Sequence, residues 1–197
     1  MIDGPVTPFL TERFDDALAY ASKIHRAQQR KGSEIPYVSH LLAVAAIALE
    51  NGAGEDQAIA ALLHDAVEDQ GGLAQLETIR VRFGEAVAAI VADCTDAHEE
   101  PKPEWRPRKE AYIASLAYKP ASSLAVSLAD KTHNASAINA DLRAVGEAVW
   151  DRFTGGRDGT LWYYRALADA FRAHAPGIAA QRFAREVAEM EELAARV

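Results

Sequence analysis

Helical spacing of the apolar residues is the feature of this sequence that most limits the folds open to it. Phe14, Leu18, Ala21 and Ile24 recur at intervals of three and four residues, which places them on one face of an α-helix. No segment alternates apolar and polar residues over a long enough stretch to predict a β-strand. The sequence therefore predicts an all-α protein.

Further helices with the same spacing are predicted along the chain, separated by glycine, proline and charged residues. Their expected positions are 39–50, 55–70, around 76–83, around 87–91, 108–118, 122–139, 141–153, after 160, and 176–197. The stretch 97–107 contains three prolines and is expected to be an exposed loop, as is 155–159. Residues 1–197 show no internal repeat and no boundary, so one domain is predicted.

Net charge and cysteine content narrow the classes of partner. The chain has 197 residues and a formal net charge of −8 at pH 7. This charge argues against broad binding to nucleic acid, but a small anionic ligand needs positive charge only at its own site. The longest apolar stretch, 41–49, is too short to span a bilayer, so no membrane partner is expected. With Cys94 as its one cysteine and no secretory signal at its start, the protein is expected to be cytoplasmic.

The strongest functional signal is the octet 62–69, in which an apolar helix ends in four polar residues. These are His64, Asp65, Glu68 and Asp69. On a continuous helix the four side chains occupy an arc of roughly 140°, and burying three carboxylates there costs several kcal/mol per ion unless a cation neutralises them. A metal ion is the simplest such cation. The alternative, solvated acids at a helix C-terminus, runs against the helix dipole.

Two further positions complete a set of candidate ligands. Asp130 follows an apolar run inside a predicted helix, with Asn134 one turn later, and His40 opens an apolar helix. Taken singly, Asp130 fits a surface acid and His40 an ordinary packing residue. Together with His64 and Asp65 they supply two imidazoles and two carboxylates. This set suits Mn²⁺, Fe²⁺ or Zn²⁺ better than Ca²⁺ or Mg²⁺.

A lone histidine, a His-Asp doublet and a distant aspartate resemble the metal signature of the HD domain. Further motifs are similar to the hydrolase domain of RelA/SpoT enzymes, and the chain length resembles the stand-alone small alarmone hydrolases. These motifs are Gln28-Gln29-Arg30-Lys31, Pro36-Tyr37, His64-Asp65-Ala66-Val67-Glu68-Asp69, Arg82-Phe83-Gly84 and Leu128-Ala129-Asp130-Lys131 with Asn134. They cover about 10–140, and 141–197 lie outside them. The resemblance implies a compact helical bundle of the HD type with extra C-terminal helices.

The resemblance also implies a set of functional residues for a metal-dependent phosphohydrolase. The implied metal ligands, normally for one Mn²⁺, are His40, His64, Asp65 and Asp130. The implied acidic pair that handles the attacking water is Glu68 and Asp69, and the implied nucleotide contacts are Arg30, Lys31 and Asn134. The implied reaction removes the 3′-pyrophosphate from guanosine tetra- or pentaphosphate. The expected partner is therefore a small phosphorylated nucleotide.

The sequence departs from the family pattern at several positions. Leu41 stands in place of the usual proline, Ala97-His98 in place of an acidic and a basic residue, and Thr132-His133 in place of an apolar pair such as Leu-Tyr. We expect these changes to affect the substrate pocket and not the metal. Two alternatives stay open: hydrolysis of another nucleotide, such as NADPH or a nucleoside monophosphate, and a metal protein that binds a nucleotide without hydrolysing it.

The second half of the chain leaves further questions open. The segment 157–165 is dense in aromatic residues and Arg, so it either lines a nucleotide pocket or anchors the core. The segment 99–109 is either a mobile lid or a solvated loop. The C-terminal helices either complete the pocket or form the contact of a homodimer.

Overall fold

The described part of the protein is built from α-helices. The computed structural model describes residues 9–95 and 104–196, and within these ranges the only β-type pairing is an isolated bridge between Gln29 and Pro36. The helices are α1 Glu12–Ile24, α2 Val38–Glu50, α3 Glu55–Leu63, α4 Ala66–Gln70, α5 Gly72–Phe83, α6 Glu85–Cys94, α7 Trp105–Ser115, α8 Ala121–Val145, α9 Gly156–His174 and α10 Ile178–Ala194. Short 3₁₀ helices cover Leu116–Tyr118 and Gly146–Arg152. The predicted all-α fold is confirmed.

Helix α1 begins where the sequence supplies both a cap and an apolar face. The hydroxyl of Thr11 accepts a hydrogen bond from the amide of Arg13, which satisfies one of the free N–H groups at the helix start. Ala17 and Ala21 are fully buried. The Arg13 guanidinium pairs with Glu55 at the start of α3. The capped end of α1 is therefore also the end that contacts α3.

Helix α8 contributes to both hydrophobic cores of the described structure. The first core draws its other residues from α1 to α6, and the second draws them mainly from α7, α9 and α10. Val126 and Ala129 belong to the first core, whereas Leu124 and Leu128 belong to the second. Helix α8 is therefore buried on two faces. Asp130 follows directly after Leu128 and Ala129, which belong to different cores.

Helix α8 is longer than predicted. The sequence indicated a break after Asn139, but α8 continues to Val145, and a 3₁₀ helix covers much of the predicted helix 141–153. Asn139 is buried, and its amide donates hydrogen bonds to the main-chain oxygen (2.9 Å) and the carboxylate (3.1 Å) of Glu186 in α10. Because Glu186 satisfies the N–H groups of the buried side chain, the polar residue does not end the helix.

The predicted loop at 155–159 is wrong. Helix α9 begins at Gly156, so most of the segment forms the first turn of a helix. The indole of Trp105 lies so close to Gly155 that a Cβ there would come within 2.6 Å of the ring. The glycine therefore serves close packing of α7 on the start of α9.

Part of the proline-containing stretch lies outside the described residues. Residues 96–103 are not described, and they include Ala97-His98 and the first half of the segment 99–109. The end of the stretch is helical and not a loop, because α7 starts at Trp105. Within the described ranges, no helix is both long and apolar enough to cross a membrane.

Candidate metal centre and adjoining cavity

Four polar side chains from three parts of the fold meet beside α8, and we call them the donor cluster. They are His40 in α2, His64 and Asp65 between α3 and α4, and Asp130 in α8. The Nε2 atom of His64 is 3.0 Å from Asp65 Oδ2 and 3.5 Å from Asp130 Oδ1. The Nε2 atom of His40 is 3.3 Å from that of His64. It is also 3.4 Å from Asp65 Oδ2 and 3.3 Å from Asp130 Oδ1. The structure thus brings together all four predicted ligands.

The junction between α3 and α4 differs from the continuous helix that the sequence predicted. Helix α3 ends at Leu63 and α4 begins at Ala66, so His64 and Asp65 form a turn. The Nδ1 atom of His64 lies 2.8 Å from the main-chain oxygen of Ala61, which in a continuous helix would accept the amide of Asp65. The histidine side chain occupies this acceptor, and the helix breaks at the two residues of the donor cluster.

Burial and charge in the donor cluster favour a bound cation. His40, His64 and Asp130 are at most 6% exposed. Burial opposes ionisation of the carboxylates, but His64 holds the pKa of Asp65 well below its usual range, and Lys131 does the same for Asp130. Burial also opposes protonation of His64, yet Asp65 raises the pKa of that imidazole well above its usual value. Two anionic carboxylates, Asp130 buried and Asp65 half-buried, therefore face two imidazoles, and a divalent cation can take the place of the imidazole proton between them.

The donor atoms fit a divalent metal ion. Imidazole nitrogen and carboxylate oxygen bind an ion such as Zn²⁺ at about 2.0–2.2 Å, so neighbouring ligands around one ion lie about 3 Å apart. The shortest and longest spacings to His64 Nε2, 3.0 and 3.5 Å, match that separation. The donor atoms of His40, His64 and Asp65 lie within 4.8 Å of one another, and Asp130 Oδ1 lies 3.3 and 3.5 Å from the two imidazole Nε2 atoms. The chemistry and the spacing of the donors therefore agree.

Each carboxylate of the donor cluster has partners that orient it. The Tyr37 hydroxyl donates to Asp65 Oδ2 at 2.6 Å, and burial together with Asp65 raises the pKa of Tyr37, so the phenol keeps its proton. Asp130 accepts hydrogen bonds from Lys131 Nζ at 2.6 Å and from Asn134 Nδ2 at 2.5 Å. Such partners fix the direction in which a ligand's lone pairs point.

Glu68 and Asp69 lie in α4, directly after the donor cluster. The amide of Asp69 donates to the main-chain oxygen of Asp65 at 3.0 Å, so Asp69 lies one helical turn beyond Asp65. Its carboxylate is exposed and accepts a hydrogen bond from Gln28 Nε2 at 2.8 Å. Glu68 is half-buried. The structure thus places Glu68 and Asp69 on the helix that begins directly after the donor cluster.

A cavity of about 510 Å³ adjoins the donor cluster. Residues on both sides of α8 in the sequence line it, and they combine positive charge with aromatic rings. The basic residues are Arg30, Lys31, Arg108, Lys109, Lys131 and Arg152, and the aromatic residues are Tyr37, Trp105, Phe153, Tyr163 and Tyr164. Asp141 is the one acid among the described lining residues. Although the chain is acidic overall, this cavity is suited to an anionic ligand that carries a ring.

The substrate contacts predicted from the sequence all line this cavity. They are Arg30, Lys31 and Asn134. Arg30 Nη2 donates to Asn134 Oδ1 at 2.7 Å, and its guanidinium carbon lies 5.7 Å from the centre of the Tyr37 ring. The next glycine, Gly32, has a φ of +74°, and a Cβ there would come within 2.6 Å of Arg152 Cδ. Glycine at this position lets the basic loop approach a residue that follows α8.

The C-terminal segment supplies part of the cavity wall. Tyr163 and Tyr164 line the cavity, and both are also buried members of the second core. These two tyrosines of the segment 157–165 therefore anchor the core and also line the cavity. Sequence reasoning missed Arg152 and Phe153 as wall residues, because nothing in their local pattern distinguishes them from ordinary surface and core residues.

The positions that depart from the family pattern lie in different environments. Leu41 is fully buried in the first core, and Thr132 is buried with its hydroxyl donating to a carbonyl one turn earlier. His133 Nδ1 lies 2.8 Å from His40 Nδ1. Of the positions that were expected to affect only the substrate pocket, His133 therefore contacts a predicted metal ligand. Burial, with the charges of His40 and Arg30, lowers the pKa of His133 to about 4.

A comparison with known protein families agrees with the helical fold and with the His and Asp residues of the donor cluster. The HD domain matches residues 17–161 of this chain. The chain belongs to the HD-domain family, whose members bind a divalent metal ion.

The names of individual relatives give a more specific activity than the name of the family does. The guanosine-3′,5′-bis(diphosphate) 3′-pyrophosphohydrolase MESH1 of Xenopus tropicalis is 38% identical over 122 residues, which are 60% of this chain and 65% of that protein. A guanosine-3′,5′-bis(diphosphate) 3′-pyrophosphohydrolase of Aquifex aeolicus is 41% identical over 88 residues, 45% of this chain and 12% of that protein. The matched part thus spans less than two thirds of either curated relative.

A solved structure shares the fold over almost the whole chain. It is described as a metazoan ortholog of SpoT that hydrolyses ppGpp and plays a role in starvation responses. The TM-score is 0.71 at 27% sequence identity, and the match covers 96% of this chain and 98% of that chain. The likeness therefore includes the C-terminal helices that lie beyond the sequence motifs.

Proposed function

We propose that this protein removes the 3′-pyrophosphate from guanosine tetra- or pentaphosphate with the aid of a divalent metal ion. The observation that carries the proposal is the direct link between the donor cluster and the basic cavity. Lys131 and Asn134 line the cavity and also donate hydrogen bonds to Asp130. A phosphate group held in the cavity would therefore lie next to the metal ligands. The reactions in the names of the relatives support the same substrate.

His40, His64, Asp65 and Asp130 are the proposed ligands of one Mn²⁺. The mixed nitrogen and oxygen set suits this ion. When bound, such an ion supplies Lewis-acid stabilisation to a phosphoryl oxygen and lowers the pKa of the attacking water. The chain's own contribution is to keep both carboxylates ionised and turned inward.

Glu68, with Asp69, is proposed to accept and orient the proton of the attacking water. The water oxygen forms a bond to the phosphorus nearest the 3′-oxygen, and the bond between that phosphorus and the 3′-oxygen breaks. The 3′-oxygen takes up a proton as pyrophosphate separates from the nucleotide. The hydrogen bond from Gln28 to Asp69 holds the second carboxylate in place during this step.

The cavity wall is proposed to bind the rest of the nucleotide. Arg30, Lys31 and Arg152 offset the charge of the phosphates, and each arginine can form paired hydrogen bonds with one phosphate group. Asn134 offers a donor and an acceptor to the sugar or base. The aromatic rings offer faces on which a base can stack. A volume of about 510 Å³ lies in the range that encloses a small ligand.

We also propose that residues 1–197 fold as one domain. The motif-bearing part, about 10–140, and the C-terminal part, 141–197, meet at α8. This helix contributes to both cores, and both parts supply walls of the cavity. Neither part could keep the cavity without the other.

Incubation of the purified protein and Mn²⁺ with a substrate panel tests the proposed reaction. The panel contains guanosine tetraphosphate, NADPH and nucleoside monophosphates, with a metal-chelated sample as control. We expect pyrophosphate from guanosine tetraphosphate only. Phosphate from NADPH or from a monophosphate would replace the proposed substrate, and binding without any release would replace the enzyme by a nucleotide-binding protein.

A further inference from the structure

We infer that His133 is a positioning residue that holds His40 in the tautomer required for metal binding. The Nδ1 atoms of the two histidines are 2.8 Å apart, and their ring centres are 4.9 Å apart. The inference rests on the metal site of the proposed function and adds a residue to it. It concerns a hydrogen bond and not a ligand, because the other nitrogen of His40 faces the donor cluster.

The geometry permits only one arrangement of protons if His40 binds an ion. A neutral imidazole carries its proton on one nitrogen and a lone pair on the other. Because Nε2 of His40 points into the donor cluster, its lone pair must be there and its proton must be on Nδ1. That N–H then donates to Nδ1 of His133. His133 must in turn carry its own proton on Nε2.

At His64, a main-chain oxygen takes the place that His133 takes at His40. The Nδ1 atom of His64 lies 2.8 Å from the main-chain oxygen of Ala61. A carbonyl oxygen can only accept, so it fixes the proton of His64 on Nδ1 without any further condition. His40 has a side chain in the corresponding place, and that side chain can donate or accept. The metal competence of His40 therefore depends on which tautomer His133 adopts.

The two carboxylates of the donor cluster favour the tautomer of His40 that cannot bind a metal ion. Asp65 and Asp130 place oxygens 3.4 and 3.3 Å from Nε2 of His40. These acceptors favour a proton on Nε2, which is the tautomer that cannot bind a metal ion. An acceptor at Nδ1 opposes that preference. Without one, His40 has to exchange its proton between nitrogens before it can bind, and this cost appears as weaker metal affinity.

Titration of the chelator-treated, full-length protein with Mn²⁺ by calorimetry tests the inference. We expect His133→Leu, which removes the acceptor, to raise the Kd for Mn²⁺ by about 10–100-fold. His133→Gln keeps an acceptor oxygen and should bind Mn²⁺ more tightly than His133→Leu. The matched control is His174→Leu, at an exposed position in the last turn of α9, and it should bind as the wild type does. Equal affinity of His133→Leu and wild type would overturn the inference.

Nitrogen NMR of the histidine rings tests the tautomers directly and needs no variant to fold. In the wild-type protein loaded with diamagnetic Zn²⁺, we expect a proton on Nδ1 of His40 and on Nε2 of His133. A proton on Nδ1 of His133 would overturn the inference. A protein that binds Mn²⁺ with these tautomers but releases no pyrophosphate would refute only the proposed reaction, and one that binds no divalent ion would refute the metal site and this inference together.

Discussion

The donor cluster and the cavity wall are built in different ways. The cluster uses four side chains of defined chemistry, and each of the two imidazole Nε2 atoms lies within 3.5 Å of both carboxylates. The wall uses six basic residues and several rings spread from the start of the chain to α9. A metal site needs each of its ligands, whereas a wall with several basic residues can lose one and still bind a phosphate. Substitutions in the cluster should therefore cause steep losses, and substitutions in the wall should cause graded ones.

The steepest loss is expected for Asp65→Ala. The substitution removes a ligand and leaves His64 without its nearest carboxylate, so metal binding and hydrolysis should fall together. A metal ion supplies several kcal/mol of transition-state stabilisation, so kcat/KM should fall by at least about 10³-fold. Calorimetry and pyrophosphate release measure the two losses. Asp16→Ala, at an exposed acid of α1, is the control, and turnover by metal-free Asp65→Ala would contradict the site.

A smaller loss with intact metal binding is expected for Glu68→Gln. If Glu68 handles the proton of the attacking water, kcat should fall by roughly 10²–10⁴-fold. The Kd for Mn²⁺ should stay unchanged, because Glu68 is not one of the four proposed ligands. Glu192→Gln, an exposed residue of α10, controls for the change of charge. An unchanged kcat would remove Glu68 from the mechanism.

A graded effect is expected for Arg152→Ala in the cavity wall. Arg152 pairs with Asp141 at 2.6 Å and lines the cavity without contact to the donor cluster. Losing one charged hydrogen bond to phosphate costs about 1.5 kcal/mol, so KM should rise by about tenfold with kcat nearly unchanged. Steady-state kinetics measure both constants, with Arg172→Ala, an exposed position in α9, as control. A fall in kcat as large as that of Glu68→Gln would show that the wall does more than bind.

The smallest effect is expected for Glu55→Gln, far from both regions. Glu55 accepts hydrogen bonds from Thr11 and pairs with Arg13. Burial raises the pKa of Glu55, but these two partners lower it by more. The stabilisation from the ionised carboxylate is therefore present above the pKa of the unfolded chain, about 4.3. It is lost as pH falls through the pKa of the folded protein. At pH 7 we expect a loss of about 0.2–1 kcal/mol in unfolding free energy, with unchanged kcat.

Urea unfolding at pH 7 and again at pH 3 measures the Glu55 effect. The difference between variant and wild type should shrink at pH 3, which lies below the pKa of about 4.3 for Glu55 in the unfolded chain. A difference that is independent of pH would mean that packing and not charge explains the effect.

The sequence predicted the parts of the molecule that depend on local pattern. The apolar spacing of Phe14, Leu18, Ala21 and Ile24 identified α1, and the candidate ligands were recognisable because few residue types bind metal ions. The continuation of α8 past Asn139 was not predictable, because it depends on Glu186 in a distant helix. The break at His64 was also missed, since the carbonyl of Ala61 can serve either the helix or the histidine. The wall residues Arg152 and Phe153 carry no local signal, whereas Arg30, Lys31 and Asn134 were predicted from their motifs.

Helix α8 contributes to both cores and carries Asp130. An ion that binds Asp130 would be linked to the folding of both cores, because both contain residues of this helix. By mass action, the folded state gains about 2.7 kcal/mol when the free ion is at 100 times its Kd. Chelation should therefore lower the melting temperature of the C-terminal helices as well, although none of them supplies a ligand. From the proposed function we therefore expect metal supply to govern the resistance of both cores to proteolysis in addition to the rate of turnover.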